Sequence, residues 1–400
     1  MCESMSFLEF GVKIVVSTVK LYENDSYIKT FDAMVLSCEE KDDKYLITLD
    51  KTAFFPEGGG QYADKGILAD ANVLDVQIKD SVIYHLTDKP LNIGDTVIGE
   101  IDWDTRFSRM QNHTGEHIVS GVIHNLYGYN NVGFHMNDRF ITLDVDGPLN
   151  EQDIARIELE VNKVIYANKK INVIYPSADE LPDYDYRSKL DITENVRLVQ
   201  IEDTDLCACC APHVAFTGEV GIVKIISFIP YKKGTRIEMV SGLLALQDYS
   251  MLHNTNKQTM NLLCTKREET FSMVQKIHKD LGDIKAENKK MSSELALLKM
   301  EKTSIGNGVC AFIENGTYDE LRFCSNSLIK EYEYCCVFSK TENAGFIYVV
   351  ASENKNIKDI VLFLNSTFNG RGGGKDFYAQ GTINATKEEI VNKLLERASL

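Results

Sequence analysis

The chain has 400 residues, of which 44% are apolar, and it carries a formal net charge of −16. Its length exceeds what one hydrophobic core usually serves, so two or three globular domains are expected. The acidic balance argues against broad, non-specific attraction to nucleic acid, because phosphate binding depends on Lys and Arg contacts.

The sequence shows no sign of an export signal or a membrane segment. Residues 1–19 lack a cationic start, and no later run approaches the roughly 18 apolar residues that cross a bilayer. Ten cysteines in such a chain favour reduced thiols and metal ligands over a disulfide framework. We therefore expect a soluble, cytoplasmic protein without membrane contact.

The first predicted domain is an N-terminal β-barrel-like module over residues 1–101. Residues 28–101 alternate apolar and polar side chains in short runs separated by turns, which is typical of a small antiparallel barrel or sandwich. This module contains the loop TAFFPEGGGQ, from Thr52 to Gln61, whose three glycines permit close approach of the backbone to a ligand. Taken alone, the loop is more simply interpreted as an ordinary β-turn.

The second predicted domain, residues 102–247, has an α+β pattern. Helices are expected over 105–129 and 151–170, a strand at VRLVQIE, and a hairpin within VGIVKIISFIPYKKGTRIEMVSG. The first helix carries His113 and His117, which lie one turn apart on the same face and can share one metal ion. Cys209 and His213 repeat the four-residue interval with ligands that suit zinc, whereas Cys207 and Cys210 are rival ligands by spacing.

The sequence HTGEH also fits the H-x-x-E-H pattern of inverted zinc peptidases, in which Glu116 would be the base. That interpretation leaves Cys209 and His213 without a role. We therefore interpret Glu116 as a solvated residue on the helix surface.

Residues 248–302 are predicted to form one long helix, since the segment is rich in helix formers and contains no proline. Heptad positions run from Met260 to Leu298, with Asn288 at a core position and with Arg267 and Thr270 breaking the frame. The pattern predicts either a homodimer through residues 260–298 or a single helix packed on its own domain.

The last predicted domain, residues 303–400, mixes strand-like runs with a helix at 386–398 in an α/β pattern. Its loop NGRGGGKDFYAQG departs from the Walker pattern at Asn369 and Asp376, which excludes ATP binding by that motif. Backbone amides and two cationic side chains can instead meet RNA. The predicted RNA-contacting residues are Arg371, Gly372, Gly373, Gly374 and Lys375.

In their order along the chain, TAFFPEGGGQ, HTGEH, and CxxxH followed by VAFTGEVG resemble the editing domain of alanyl-tRNA synthetase and its free-standing relatives. The loop GRGGGKDFYAQG beyond the long helix resembles the synthetase's C-terminal domain of the DHH-associated type. The resemblance begins near Val19, so residues 1–18 fall outside it, and nothing resembles the aminoacylation domain. The chain is similar to the long form of the stand-alone editing proteins.

The resemblance implies one zinc ion per chain, bound by His113, His117, Cys209 and His213. It also places Thr52 and Gln61 where the family's loop faces the aminoacyl group, with Thr52 as sensor of a serine hydroxyl. The implied enzyme is an aminoacyl-tRNA hydrolase that acts on alanine tRNA mischarged with serine, and also with glycine. The alternatives are a zinc metallopeptidase or a non-catalytic zinc-containing tRNA-binding protein.

Overall fold

A computed structural model describes residues 17–137, 139–188, 196–341 and 345–399. The first sixteen residues therefore lie outside the described part, and with them most of the segment before the resemblance. The chain divides into two compact units, Met1–Thr255 and Asn256–Leu400. Both combine helices with sheets, so the part of the predicted α+β class that calls for both kinds of element is confirmed.

A six-stranded barrel begins the first unit. Its strands close in the order β2-β3-β7-β6-β5-β8. Their bounds are β2 Thr30–Lys41, β3 Lys44–Leu49, β5 Gly66–Leu68, β6 Ala71–Lys79, β7 Val82–Thr87 and β8 Thr96–Ile101. Along β2, Phe31, Ala33 and Val35 point into the core while their neighbours are exposed, as the alternating pattern requires. A short parallel pair, β1 Val19–Lys20 and β4 Lys51–Thr52, and helix α1, Leu21–Asn24, complete this part.

Helix α2, Trp103–Tyr127, follows the barrel. It begins at Asp102, whose carboxylate accepts the Thr105 amide, and ends at Gly128, whose φ of 72° is the left-handed conformation of a helix C-terminus. The prediction of a helix over 105–129 is therefore confirmed, with both ends shifted by two residues. Nearly every side chain from Arg106 to Ile123 is buried.

Two sheets and a second helix surround α2. The four-stranded sheet has the order β14-β15-β10-β9, and the three-stranded sheet has the order β11-β12-β13. Helix α3, Glu151–Tyr166, starts at an Asn150 capping box. The strands are β9 Asn131–Met136, β10 Ile141–Val145, β11 Ile171–Ile174, β12 Leu198–Ile201, β13 Asp205–Ala208, β14 Val223–Tyr231 and β15 Gly234–Ser241. The last two form the predicted hairpin.

The predicted single helix over 248–302 is wrong, because the chain forms two helices there. Helix α4 spans Gly242–Leu263 and helix α5 spans Thr270–Lys299, with a 3-10 turn at Arg267–Glu269 between them. Cys264 adopts a φ of 49°, a left-handed conformation that ends an α-helix. Helix propensity does not reveal such a stop, since every residue at the break is compatible with a helix.

The second unit contains a six-stranded mixed sheet in the order β16-β17-β18-β19-β21-β20. Its strands are β16 Glu301–Ile305, β17 Gly308–Ile313, β18 Tyr334–Lys340, β19 Phe346–Ser352, β20 Arg371–Lys375 and β21 Tyr378–Ile383. Helices α6 Tyr318–Leu328, α7 Lys358–Thr367 and α8 Lys387–Ala398 belong to the same unit. In the described part of the chain, no helix is both long and apolar enough to cross a membrane.

Candidate metal centre

The four predicted zinc ligands come together in the first unit. One ligand atom from each of His113, His117, Cys209 and His213 lies within 4.8 Å of the others. The Cys209 Sγ atom is 3.3 Å from His213 Nε2 and 3.6 Å from His113 Nε2. Two pairs at one-turn spacing, more than ninety residues apart in sequence, therefore converge on one point.

Small residues on α2 allow this convergence. A Cβ atom at Gly121 would collide with the Thr204 carbonyl oxygen, in the turn that leads into β13. Only glycine permits so close an approach of the turn to the helix. Strand β13 then delivers Cys209 to the face of α2 that carries the two histidines.

Each imidazole has a hydrogen-bond partner at Nδ1, which leaves Nε2 to face the centre. The pairs are His113 with Gln61 Oε1 at 2.9 Å, His117 with Asp205 Oδ2 at 2.9 Å, and His213 with Thr114 Oγ1 at 3.0 Å. Partners of this kind fix the ring orientation of metal-binding histidines in proteins.

The electrostatics of the centre also suit a metal. Burial alone would raise the pKa of the Cys209 thiol, but the neighbouring His113, through its charge and its hydrogen bond, holds that pKa well below its usual value. Burial lowers the pKa of His213 to about 3, which keeps its ring neutral. A thiolate with three inward-facing imidazole nitrogens is a donor set typical of zinc, so these residues fit the metal.

The rival cysteines are placed differently. Cys207 lies with His117 and Asp205, and burial raises the pKa of its thiol. The Arg187 guanidinium forms an ion pair with Asp205 at 2.7 Å, and a cation there opposes a metal ion in that second cluster. Cys210 is exposed and lines the adjoining cavity.

Gln61 reaches the centre, whereas Thr52 does not. Gln61 is fully buried, and its Nε2 atom has no hydrogen-bond partner among the described residues. The Thr52 hydroxyl is also fully buried, bonded to His85 Nε2 at 2.9 Å and accepting the Phe54 amide at 3.1 Å. In the described part of the chain Thr52 does not line the cavity beside the centre.

Interpreting Glu116 as a solvated helix residue is wrong. Its side chain is only 4% exposed, and its Oε1 atom accepts hydrogen bonds from Ser120 Oγ and Asn131 Nδ2, both at 2.5 Å. The reason is that nearly all of α2 from Arg106 to Ile123 is buried, and its Glu116 face meets a cavity wall rather than bulk solvent. Sequence spacing shows which residues share a face of the helix, but it does not show what packs against that face.

Sequence reasoning also missed two arginines. Arg106 is completely buried on α2, where it pairs with Asp64 at the end of the glycine loop and donates to the Ala53 carbonyl. Arg197 donates to the carbonyl oxygens of Cys209 and Ala211 and so holds the ligand loop. Arginines in unremarkable sequence surroundings carry no signal of such roles.

A cavity of about 2450 Å³ adjoins the centre within the first unit. His113, His117, Cys209 and the glycine loop at Gly59 and Gly60 contribute to its wall. A Cβ atom at Gly60 would lie 2.5 Å from the Phe134 ring, so the loop packs there only as glycine. The cavity has room for an extended ligand beside the four candidate metal ligands.

In the second unit, the segment predicted as a glycine-rich loop is instead the edge strand β20. All five residues of Arg371–Lys375 are exposed and pair antiparallel with β21. Glycine disfavours strands in general, which is why the sequence indicated a loop.

Two families match parts of this chain. Residues 17–105 match tRNA synthetases class II (A), and residues 196–239 match the threonyl and alanyl tRNA synthetase second additional domain. The alanyl-tRNA editing protein AlaX-L of Pyrococcus horikoshii is 28% identical over 94% of this chain and 98% of its own length. The alanyl-tRNA editing protein Aarsd1-B of Xenopus laevis is 26% identical over 88% of each chain.

The alanine–tRNA ligase of Thermococcus kodakarensis is 30% identical over 93% of this chain but only 42% of the ligase. The chain thus spans less than half the length of that relative. Fold, candidate centre and matched segments together define a protein of the alanyl-tRNA synthetase lineage. Within that lineage, the chain belongs to the synthetase-related editing proteins, as the sequence motifs indicated.

Proposed function

We propose that this protein is an aminoacyl-tRNA hydrolase that removes serine, and also glycine, from mischarged alanine tRNA. The supporting observation is the cluster of His113, His117, Cys209 and His213, with Gln61 bonded to His113 and a cavity alongside. The relatives named as alanyl-tRNA editing proteins, which match over most of their length, support the same activity.

One zinc ion per chain would be held by the three imidazole Nε2 atoms and the Cys209 thiolate. Bound there by four protein ligands, zinc would position the aminoacyl ester, and polarising its carbonyl group would require a fifth ligand or the loss of one protein ligand. The chain's own contribution is the positioning of that ester. Gln61 is fully buried behind His113, whose ring it holds through Oε1 at 2.9 Å, so it would act on the ester by fixing the orientation of His113 in the cavity wall.

Such an activity answers a physical problem. A pocket sized for alanine cannot strongly reject the smaller glycine, or a serine that only adds a hydroxyl group. A second site must therefore distinguish tRNA charged with alanine from tRNA charged with serine or glycine. The sensing of the serine hydroxyl by Thr52 remains part of this proposal, and a substitution described below tests it. The cytoplasm, where charged tRNA is used, is the proposed location.

The second unit is proposed to contact tRNA and to join two chains. The exposed strand Arg371–Lys375 offers cations and unpaired backbone amides to RNA. On α5, apolar side chains at heptad positions are exposed, including Val274, Ile277, Leu281 and Ile284. A second copy covering this stripe would remove it from water, which favours a homodimer within the predicted range 260–298.

A deacylation assay tests the proposed activity. The zinc-loaded protein is incubated with alanine tRNA charged with serine, glycine or alanine, and separately with peptides. We expect release of serine and glycine at rates well above that of alanine, with no peptide cleavage. Peptide cleavage would favour a metallopeptidase, and binding without any release would favour a non-catalytic tRNA-binding protein.

A further inference from the structure

Glu116 carries a buried carboxylate of which one oxygen accepts hydrogen bonds from the described residues. Its Oε1 atom accepts both Ser120 Oγ and Asn131 Nδ2. The described residues donate no hydrogen bond to its Oε2 atom, and Glu116 lines the cavity with His113 and His117. A carboxylate that is 4% exposed, lies in a cavity wall and has one oxygen not engaged by the described residues is suited to a hydrogen-bond donor from a ligand.

The charges around Glu116 favour a cationic donor. The nearby Arg187 is engaged by Asp205, to which its guanidinium donates at 2.7 and 2.8 Å. Ser120 and Asn131 are neutral, and Arg187, whose charge also acts on Glu116, forms its direct ion pair with Asp205. A buried carboxylate whose hydrogen-bond partners are neutral is costly, and a cation from the ligand would offset part of that cost.

The charge of the cavity wall also favours a cationic ligand. Seven Asp and Glu residues and only three Lys and Arg residues line it in the described part of the chain. A cleft dominated by one sign of charge attracts ligands of the opposite sign. The ammonium group of an aminoacyl ester carries that opposite sign.

We propose that Glu116 binds the α-ammonium group of the aminoacyl ester, and so restricts the enzyme to esters with a free amino group. The inference rests on the proposed function, because that function supplies the ligand. An aminoacyl ester carries its ammonium on the carbon next to the reacting carbonyl, so this contact also orients the carbonyl. Esters with a blocked or missing amino group, such as peptidyl-tRNA, would be poor ligands.

Binding of a non-hydrolysable analogue tests the contact without reference to activity. The probes are 3'-serylamino-3'-deoxyadenosine and its counterpart with a hydroxyl in place of the ammonium, titrated into the zinc-loaded full chain by calorimetry. Wild type is expected to bind the ammonium analogue roughly 10- to 100-fold more tightly, the range for one charge-assisted hydrogen bond. The variant Glu116→Gln is expected to bind both analogues within about threefold of each other.

Hydrolysis separates this role from that of a general base. With seryl-tRNA and its deaminated ester as substrates, Glu116→Gln should lower kcat/KM for the ammonium ester only. An equal loss on both esters would make Glu116 the base and overturn the proposal, as would an unchanged preference in binding. Wild type that prefers the ammonium analogue but releases no amino acid would contradict the proposed function and leave this contact supported.

Two further variants distinguish loss of the proposed contact from loss of folding. Glu158→Gln is the matched control, because Glu158 accepts the Ile225 amide and pairs with Lys224 outside the cavity. It should leave the preference unchanged. If Glu116→Gln loses zinc or its melting transition, Asn131→Ser is used in its place. The shorter serine side chain removes the hydrogen bond that Asn131 Nδ2 donates to the Glu116 carboxylate. That variant should reduce the preference, and an unchanged preference would overturn the proposal.

Discussion

Replacing Asp205 with asparagine tests how the metal centre is held. Asp205 is 8% exposed, and its two oxygens are divided between His117 Nδ1 at 2.9 Å and the Arg187 guanidinium. Asparagine has the same shape, but it has only one oxygen. If that oxygen still accepts from His117, the new amide group points its hydrogens at the cationic Arg187.

The expected loss follows from both contacts. Removing a carboxylate behind a zinc-binding histidine costs roughly 10- to 100-fold in metal affinity. In terms of folding, the same loss lowers the stabilisation by saturating zinc by about 1.4 to 2.7 kcal/mol. Leaving Arg187 without its partner adds about 1–3 kcal/mol, toward the lower end because this side chain is partly exposed.

Zinc affinity is measured by competition with a chelator of known strength, and stability by denaturant unfolding of the zinc-free and zinc-loaded forms. The control is Asp203→Asn, because Asp203 lies two residues away and is 84% exposed. It should change neither quantity beyond about 0.5 kcal/mol. An Asp205→Asn protein that binds zinc as tightly as wild type would refute the argument that this carboxylate fixes His117.

Three further predictions follow from the same structure. Cys209→Ser should lose zinc as measured by metal analysis, while Cys207→Ser and Cys210→Ser retain it; the reverse pattern would move the ligand assignment. Thr52→Val should cost about 1–3 kcal/mol in unfolding free energy, because His85 Nε2 loses its buried partner. If Thr52 also senses the substrate hydroxyl, the ratio of seryl to alanyl release should fall by a comparable factor, whereas an unchanged ratio would limit Thr52 to a structural role. Ile284→Glu, on the exposed stripe of α5, should shift the protein toward monomer in sedimentation. The control is Lys285→Glu, at the next position along the helix, which is also exposed. An unchanged oligomer in Ile284→Glu would exclude this stripe as the interface.

The metal centre was predictable because its information is local. His113 and His117 are placed by the turn of one helix, and Cys209 and His213 by a short loop, so four-residue spacing singled out both pairs, while the choice of Cys209 over Cys207 and Cys210 came from the family resemblance. The partners behind the imidazoles were not predictable individually. Gln61 lies 52 residues from His113, and Asp205 lies 88 residues from His117, so these pairs depend on how the elements pack.

The predictions that were wrong also concern features that depend on how the elements pack. The break at Cys264 depends on one residue in the left-handed conformation, and Glu116 is buried because two sheets enclose α2. Thr52 stands in the loop that the motif indicated, and the partner of its hydroxyl, His85, lies 33 residues away, so that contact was not predictable either. A motif identifies which segment approaches the site, but packing decides which of its side chains arrive.

The ion pair between Arg106 and Asp64 bears on how this protein can be recombined. Both side chains are at most 1% exposed, and the pair joins the segment just after the barrel's glycine loop to the helix that carries both histidines. A chimera that takes its barrel from one homologue and the following segment from another would bury an unmatched charge unless both positions came from the same parent. Shuffling experiments should therefore place their crossovers after residue 106 rather than at the barrel's last strand, and amide exchange in the loop should report on the helix as well.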